Sequence, residues 1–315
     1  MTRTLPSLAA AAALLSALPA FAAPFAYVPN EKSGTVSVID TATDKVDATI
    51  DEGGQPRGIA ASPDGSTLYV SDEKANALKV IDTRNRQVRG TVPLGRSPEG
   101  VRVSQDGALI AGASEHTNSV VLIDAATLKV LAQIQTSGKN PEHAVFSPDR
   151  RWLYVSAEDG SEVDVVDVAA RRQVGSIEVG RRPRGIGFTP DGRYAYVACE
   201  LASTVYAIDV AQRKVVATIK AGEFSNGVTV APDGARVYVS NGRGRTVSII
   251  DVGSNRIVAT VPVGKRPWNM AITPDGAKLY VANGRSDSVS VIDTAKAQRI
   301  KDIAVGKRPW GVAIP

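Results

Sequence analysis

Residues 264–305 read GKRPWNMAITPDGAKLYVANGRSDSVSVIDTAKAQRIKDIAV. Four short runs rich in Val, Ile, Leu or Tyr stand in this stretch: Trp268–Thr273, Lys278–Ala282, Ser288–Ile292 and Ile300–Val305. Turn residues bound each run, which is the pattern of short β-strands. No helical period is sustained. The same unit recurs outward from here. Tyr-Val stands at 27, 69, 154, 196, 238 and 280, and Ala111-Gly112 takes the missing place. Thirteen residues after each of the seven positions comes an aspartate: Asp40, Asp82, Asp124, Asp167, Asp209, Asp251 and Asp293. A glycine three residues before a proline marks the next boundary, as in Gly264 and Pro267, with Ser225 replacing one proline. Four-strand repeats of about 42 residues predict an all-β, seven-bladed β-propeller.

The chain ends imply how the ring closes. Residues 25–52 supply the outer three strands of one blade, and Pro315 aligns with Ser62, the end of an inner strand. The C-terminal inner strand therefore completes the N-terminal blade, leaving no open sheet edge. Residues 23–315 are expected to form this single domain.

Composition narrows the chemistry. Of 315 residues, 43% are hydrophobic but only 5% aromatic, so the core must be aliphatic. Cys199 is the only cysteine, which excludes an intramolecular disulfide, a c-type haem and a cysteine-rich zinc site. His116 and His143 are the only histidines. A net charge of +5 gives no reason to expect nucleic acid as a partner. Arg3, an apolar run from Leu5 to Phe21 and Ala20-Phe21-Ala22 read as a secretory signal peptide over residues 1–22. Cleavage after Ala22 would deliver a periplasmic protein with no later transmembrane segment.

Tyr-Val followed by a small polar residue, then Val-Ile-Asp, then Gly-x-x-Pro, resembles the YVTN family of β-propeller repeats over the whole mature chain. Seven repeats behind a signal peptide are most similar to the propellers associated with PQQ-dependent catabolism. That resemblance implies a periplasmic protein encoded beside quinoprotein alcohol oxidation and transport genes, accessory to that oxidation and with no known activity of its own. The tryptophan-docking repeats of the PQQ dehydrogenases themselves are absent.

Seven copies also act as an internal filter. What every blade keeps is structural; what breaks the pattern is a candidate for function. The seven aspartates are expected to bond backbone N–H groups in the turn that follows them. The repeated glycine of Gly-x-x-Pro is expected to supply a positive φ. Cys199 is expected to be a buried, non-catalytic thiol.

The loops from strand D to the next strand A and from strand B to strand C must open on one face. That face carries Glu31, Glu73, Glu115, Glu158 and Glu200 at equivalent places, with Gly242 and Gly284 in the last two copies. The residue after each proline reads Trp310, Arg57, Glu99, Glu142, Arg184, Asn226 and Trp268 around the ring. The expectation is a polarised mouth. An acidic side holds Glu99, Glu115, Glu142 and Glu158 with His116 and His143. An aromatic and cationic side holds Trp268, Trp310, Arg243 and Arg285, with Lys265-Arg266 and Lys307-Arg308 behind it.

Trp268, Trp310, Arg243, Arg285, Arg57 and Arg184 are the candidate ligand or partner contacts. Glu115, His116, Glu142 and His143 are the candidate metal ligands. No catalytic residue, nucleophile motif or phosphate loop stands out. The leading expectation is a monomeric, non-catalytic binding or scaffold protein for a periplasmic partner or a small anionic ligand. A lactonase-like, metal-dependent hydrolase and a cell-surface attachment module are the alternatives. No cofactor is required; PQQ and a divalent cation are the two candidates.

Overall fold

The computed structural model describes residues 24–315; the signal peptide and its cleavage site lie outside the described residues. Seven antiparallel sheets stand side by side, each with its strands in sequence order. The stretch that decides the fold forms Pro267–Ile272, Lys278–Asn283, Ser288–Asp293 and Gln298–Ala304, strands A to D from the channel outward. The sequence runs match these within about two residues at each end. Among the described residues the one helical element is a single 3-10 turn, Glu115–Thr117. No helix among the described residues is long and apolar enough to cross a membrane.

The ring closes as the chain ends imply. Phe25–Asn30, Thr35–Asp40 and Lys45–Asp51 form the outer strands of the closing blade. The C-terminal segment joins them through the bridges Tyr27↔Ala313 and Asn30↔Pro309. Tyr27 and Ala313 exchange two backbone hydrogen bonds of 2.9 Å, and the Trp310 N–H donates to the Pro29 carbonyl. Trp310, Val312 and Ala313 are buried there.

Between blades the core is aliphatic, with the repeated tyrosines buried among it. Tyr196 donates its hydroxyl to Asn255 at 2.8 Å, and the hydroxyl of Tyr280 reaches Asp44. All seven strand-C aspartates accept backbone N–H groups from the following turn, for example Gln212 N–H to Asp209 and Lys296 N–H to Asp293. They are structural parts of the blade.

One expectation needs correction. Only Gly53 and Gly95 among the Gly-x-x-Pro glycines have positive φ, 76° and 93°. Elsewhere the glycine makes room. A Cβ at Gly222, Gly264 or Gly306 would sit 2.5 to 2.6 Å from the side chains of Asn241, Asn283 and Asn30. These asparagines end strand B, and each donates to a strand-C serine at 2.9 Å. The left-handed residue is the one just before the proline: Arg182, Arg266 and Arg308 have φ of 61°, 54° and 59°.

Candidate functional site

Two local features build the mouth. The first is a bulge in strand A. Pro267 pairs with Asn283, but Met270 pairs with Val281, so one extra residue stands in the inner strand. Five other blades repeat this offset, and the two bridges of the closing blade show it too. Such a bulge re-aims side chains. All seven residues that follow the proline position therefore line one cavity of about 260 Å³. The next residue faces the neighbouring inner strand. It is glycine in five blades because a Cβ has no room: at Gly227 it would lie 2.5 Å from the Trp268 carbonyl oxygen. His143 and Asn269 occupy this place in the other two.

The second feature is a backbone bond from the start of each B–C loop to the carbonyl of the residue before the proline. Glu200 N–H donates to Arg182 at 2.8 Å, Gly284 N–H to Arg266 at 2.9 Å and Glu31 N–H to Arg308 at 3.1 Å. The two loop classes thus share one face, as strand alternation requires. Left-handed backbone at Arg182, Arg266 and Arg308 accompanies side chains that line the cavity. From the sequence Arg266 and Arg308 are expected behind the tryptophans, and Arg182 is not singled out there. Left-handed backbone on a non-glycine residue costs energy and gathers at functional sites, and a Gly-x-Arg-Pro pattern was the signal available for it.

The side chains form a belt of alternating charge. Arg308 meets Glu31 at 3.1 Å; Arg57 meets Glu31 at 3.7 Å, Glu73 at 2.8 Å, and Glu99. On the other arc Arg184 meets Glu142 at 2.5 Å, Glu158 at 3.0 Å and Glu200 at 3.1 Å. Arg182 adds contacts to Glu158 and Glu200, and Arg266 reaches Glu200 at 2.8 Å. Trp268 joins the two arcs, with Arg266 and Arg308 over its ring at 5.7 and 5.6 Å. Like charges also act on one another, with Glu142 opposing the charge of both Glu99 and Glu158. Burial and then the Glu142 charge push the Glu99 carboxyl well above its ordinary range, against the pull of Arg57. Burial also raises Glu158, opposed by Arg184. At Arg184 burial works against the cation, but Glu142, Glu158 and Glu200 hold its pKa above the usual arginine value.

The expected separation into two sides does not hold. Trp310 stands 6.4 Å from Trp268 and only 5.6 Å from His143, ring centre to ring centre, so it reaches the residue assigned to the opposite side. Arg57 and Arg184 sit among the glutamates. Arg243 stacks on Phe224 at 4.2 Å, and neither it nor Arg285 lines the cavity. The two loop glycines leave no open space beside them: a Cβ at Gly284 would lie 2.8 Å from the Trp268 ring, and one at Gly242 would lie 3.4 Å from Arg266.

The four candidate metal ligands do not come together either. His116 is 56% exposed and 4.0 Å from Glu115; Glu142 is held by Arg184; and burial, then Arg102 and Arg184, pushes the His143 pKa far down. Among the described residues no group of three or more His, Cys, Asp or Glu is placed to hold a metal. Cys199 is a free, fully buried thiol whose pKa burial pushes up to about 12.

A family model described as "YNCE-like beta-propeller" matches residues 2–314. No curated protein matches the sequence. Solved structures are similar in fold, among them the following two. A chain of the Kuenenia stuttgartiensis hydrazine synthase superposes with a TM-score of 0.74 at 23% identity, covering 82% of this chain and 89% of that one. A functionally unknown protein from Desulfotomaculum acetoxidans DSM 771 superposes with a TM-score of 0.83 at 18% identity, covering 92% and 98%.

Proposed function

The chain belongs to the YNCE-like β-propeller family, and on that premise we propose that it is a non-catalytic binding protein whose mouth receives a polar partner or ligand. One observation carries the reading. Seven equivalent positions converge on a single cavity, and there the blades present Arg, Glu, Glu, Arg, Asn, Trp and Trp while the surrounding framework repeats. A purely structural position in a repeat has no need to differ from blade to blade.

The belt also narrows the occupant. Its guanidinium groups are already paired, so a ligand binds by exchanging ion pairs rather than by meeting free positive charge. Desolvated arginine–carboxylate pairs give specificity by that exchange. A protein segment bearing both charges suits this, as does a small molecule with an anionic end. Export to the periplasm and a place beside PQQ-dependent alcohol oxidation are part of the proposal and rest on the signal-like N-terminus and the sequence resemblance.

The test is affinity capture from periplasmic extract with wild type, Arg57→Gln and Trp268→Ala, each checked by circular dichroism. Arg150→Ala, an exposed arginine outside the mouth, is the control. Partners kept by the control and lost by both mouth variants support the reading. Identical capture by all four proteins overturns it.

A further inference from the structure

His143 is 1% exposed, and neither of its ring nitrogens has a hydrogen-bond partner within the protein. Its backbone N–H is satisfied by Ser156 Oγ at 3.1 Å, so the strand is anchored while the imidazole is left without a bond. The ring lies over Gly100 of the adjacent inner strand, where a Cβ would collide with Nδ1. Its other neighbour is Trp310, whose indole offers no acceptor.

Arg102 lies two residues beyond Gly100 on that same strand, Pro98–Val103. Its side chain is half-buried, and burial pulls the arginine pKa down from its usual value. No ion pair to Arg102 is found among the described residues; its one bond is donated to the carbonyl of Val101 at 3.0 Å. The equivalent residues of the other blades are Ala60, Val145, Gly187, Thr229, Ala271 and Ala313, none of which can neutralise it. Every arginine lining the mouth cavity has a carboxylate. This one, deeper in the ring, has none.

We propose that His143 and Arg102 form an anion subsite beneath the mouth, for a carboxylate or a small inorganic anion of similar size. It deepens the binding function proposed above by naming the end of the ligand that enters first, and it can fail while that function stands. An uncompensated guanidinium that protein partly desolvates is costly. An anion bridging it to the imidazole satisfies both groups through charge-assisted bonds. The charges acting on the imidazole are Arg102 and Arg184 from the two flanking blades, and both disfavour imidazolium. Glu142 precedes it on its own strand and is held by Arg184; Glu99 precedes Gly100 on the adjacent inner strand and is held by Arg57. A bound anion offsets the two arginines, so binding raises the His143 pKa and, by linkage, tightens as pH falls.

With only two histidines, proton NMR reads the site directly. Sodium formate is the carboxylate probe, sodium nitrate the inorganic one, and exposed His116 the internal reference. The expected result is a saturable shift of the His143 ring signal, an upward move of its titration, and no change at His116. In Arg102→Ala the formate affinity should fall by about tenfold or more, with partial rescue in Arg102→Lys. Alanine stands at this place in three other blades, so Arg102→Ala should fold. A His143 signal indifferent to both anions overturns the proposal, as does an equal response in Arg102→Ala. Saturation by nitrate but not formate supports an inorganic-anion subsite; the reverse supports a carboxylate. Capture of partners through Arg57 and Trp268 is a separate readout, so losing one leaves the other interpretable.

Discussion

Replacing Arg184 by methionine should be among the most damaging single changes in the mouth. The side chain is 12% exposed and touches three carboxylates that are each 6% exposed or less. Glu158 and Glu200 keep Arg182, and Glu200 also keeps Arg266. Among the described residues Glu142 has no other ion-pair partner. The variant therefore leaves one carboxylate buried and alone, beside Glu99. Breaking a buried pair from one side costs about 3–5 kcal/mol, which for a chain of this size lowers the melting temperature by about 5–8 °C. The loss depends on pH in a definite direction. A carboxyl whose folded pKa is raised contributes stability that is fully present below its unfolded value and is lost as pH rises through the folded one. Wild type already carries raised carboxyls at Glu99 and Glu158, so it should gain stability as pH falls from neutral toward the ordinary carboxylate range. Arg184→Met should follow a steeper version of that curve. The gap to wild type should be wide at neutral pH and nearly closed where the carboxyls are protonated. Equilibrium denaturation across this range measures it. Adding Glu142→Gln should restore about 1 kcal/mol or more at neutral pH. A loss that is small, or equal at all pH values, refutes the idea that charge compensation holds the mouth together.

Three further outcomes are expected. Deleting residues 309–315 removes buried Trp310, Val312 and Ala313 and exposes the edge of Phe25–Asn30, so the truncated chain should melt far below the full one or aggregate; unchanged melting refutes closure. Gly284→Ala places a Cβ 2.8 Å from the Trp268 ring and should cost about 1–3 kcal/mol with a shift in tryptophan fluorescence, whereas Gly242→Ala, 3.4 Å from Arg266, should be milder. Cys199, buried and with its pKa up to about 12, should resist a thiol reagent at mildly alkaline pH until the chain is unfolded; rapid native reaction refutes its burial.

The repeat made the framework legible. Tyr-Val, the strand-C aspartates and the offset between the chain ends were enough to place every blade, because each blade solves the same packing problem. The mouth was legible only as a set of positions. The seven residues after the proline did line it, since a bulge common to all blades aims them there. Their partners were hidden. Arg266 and Arg308 line the cavity with left-handed backbone before proline, a conformation that sequence patterns argue against. The contact of Trp310 with His143 depends on the width of the ring, which spacing along the chain does not encode. The glycine of Gly-x-x-Pro was misread because a turn and a tight contact with asparagine demand the same residue.

The bond between Tyr27 and Ala313 also governs time. A chain made from its N-terminus produces Phe25–Asn30 first and its inner strand last. Until the final residues arrive, that first sheet is a three-stranded fragment with one face and one edge unserved. The six later blades can assemble on local hairpins, each closing over short loops. The last step joins residues nearly a full chain length apart, and such contacts make folding slow. Ring closure should therefore be the late and rate-limiting event of folding. By the same reasoning, release of the C-terminal strand should be the first event of unfolding. A probe at Trp310 should report it before any probe in the opposite blades.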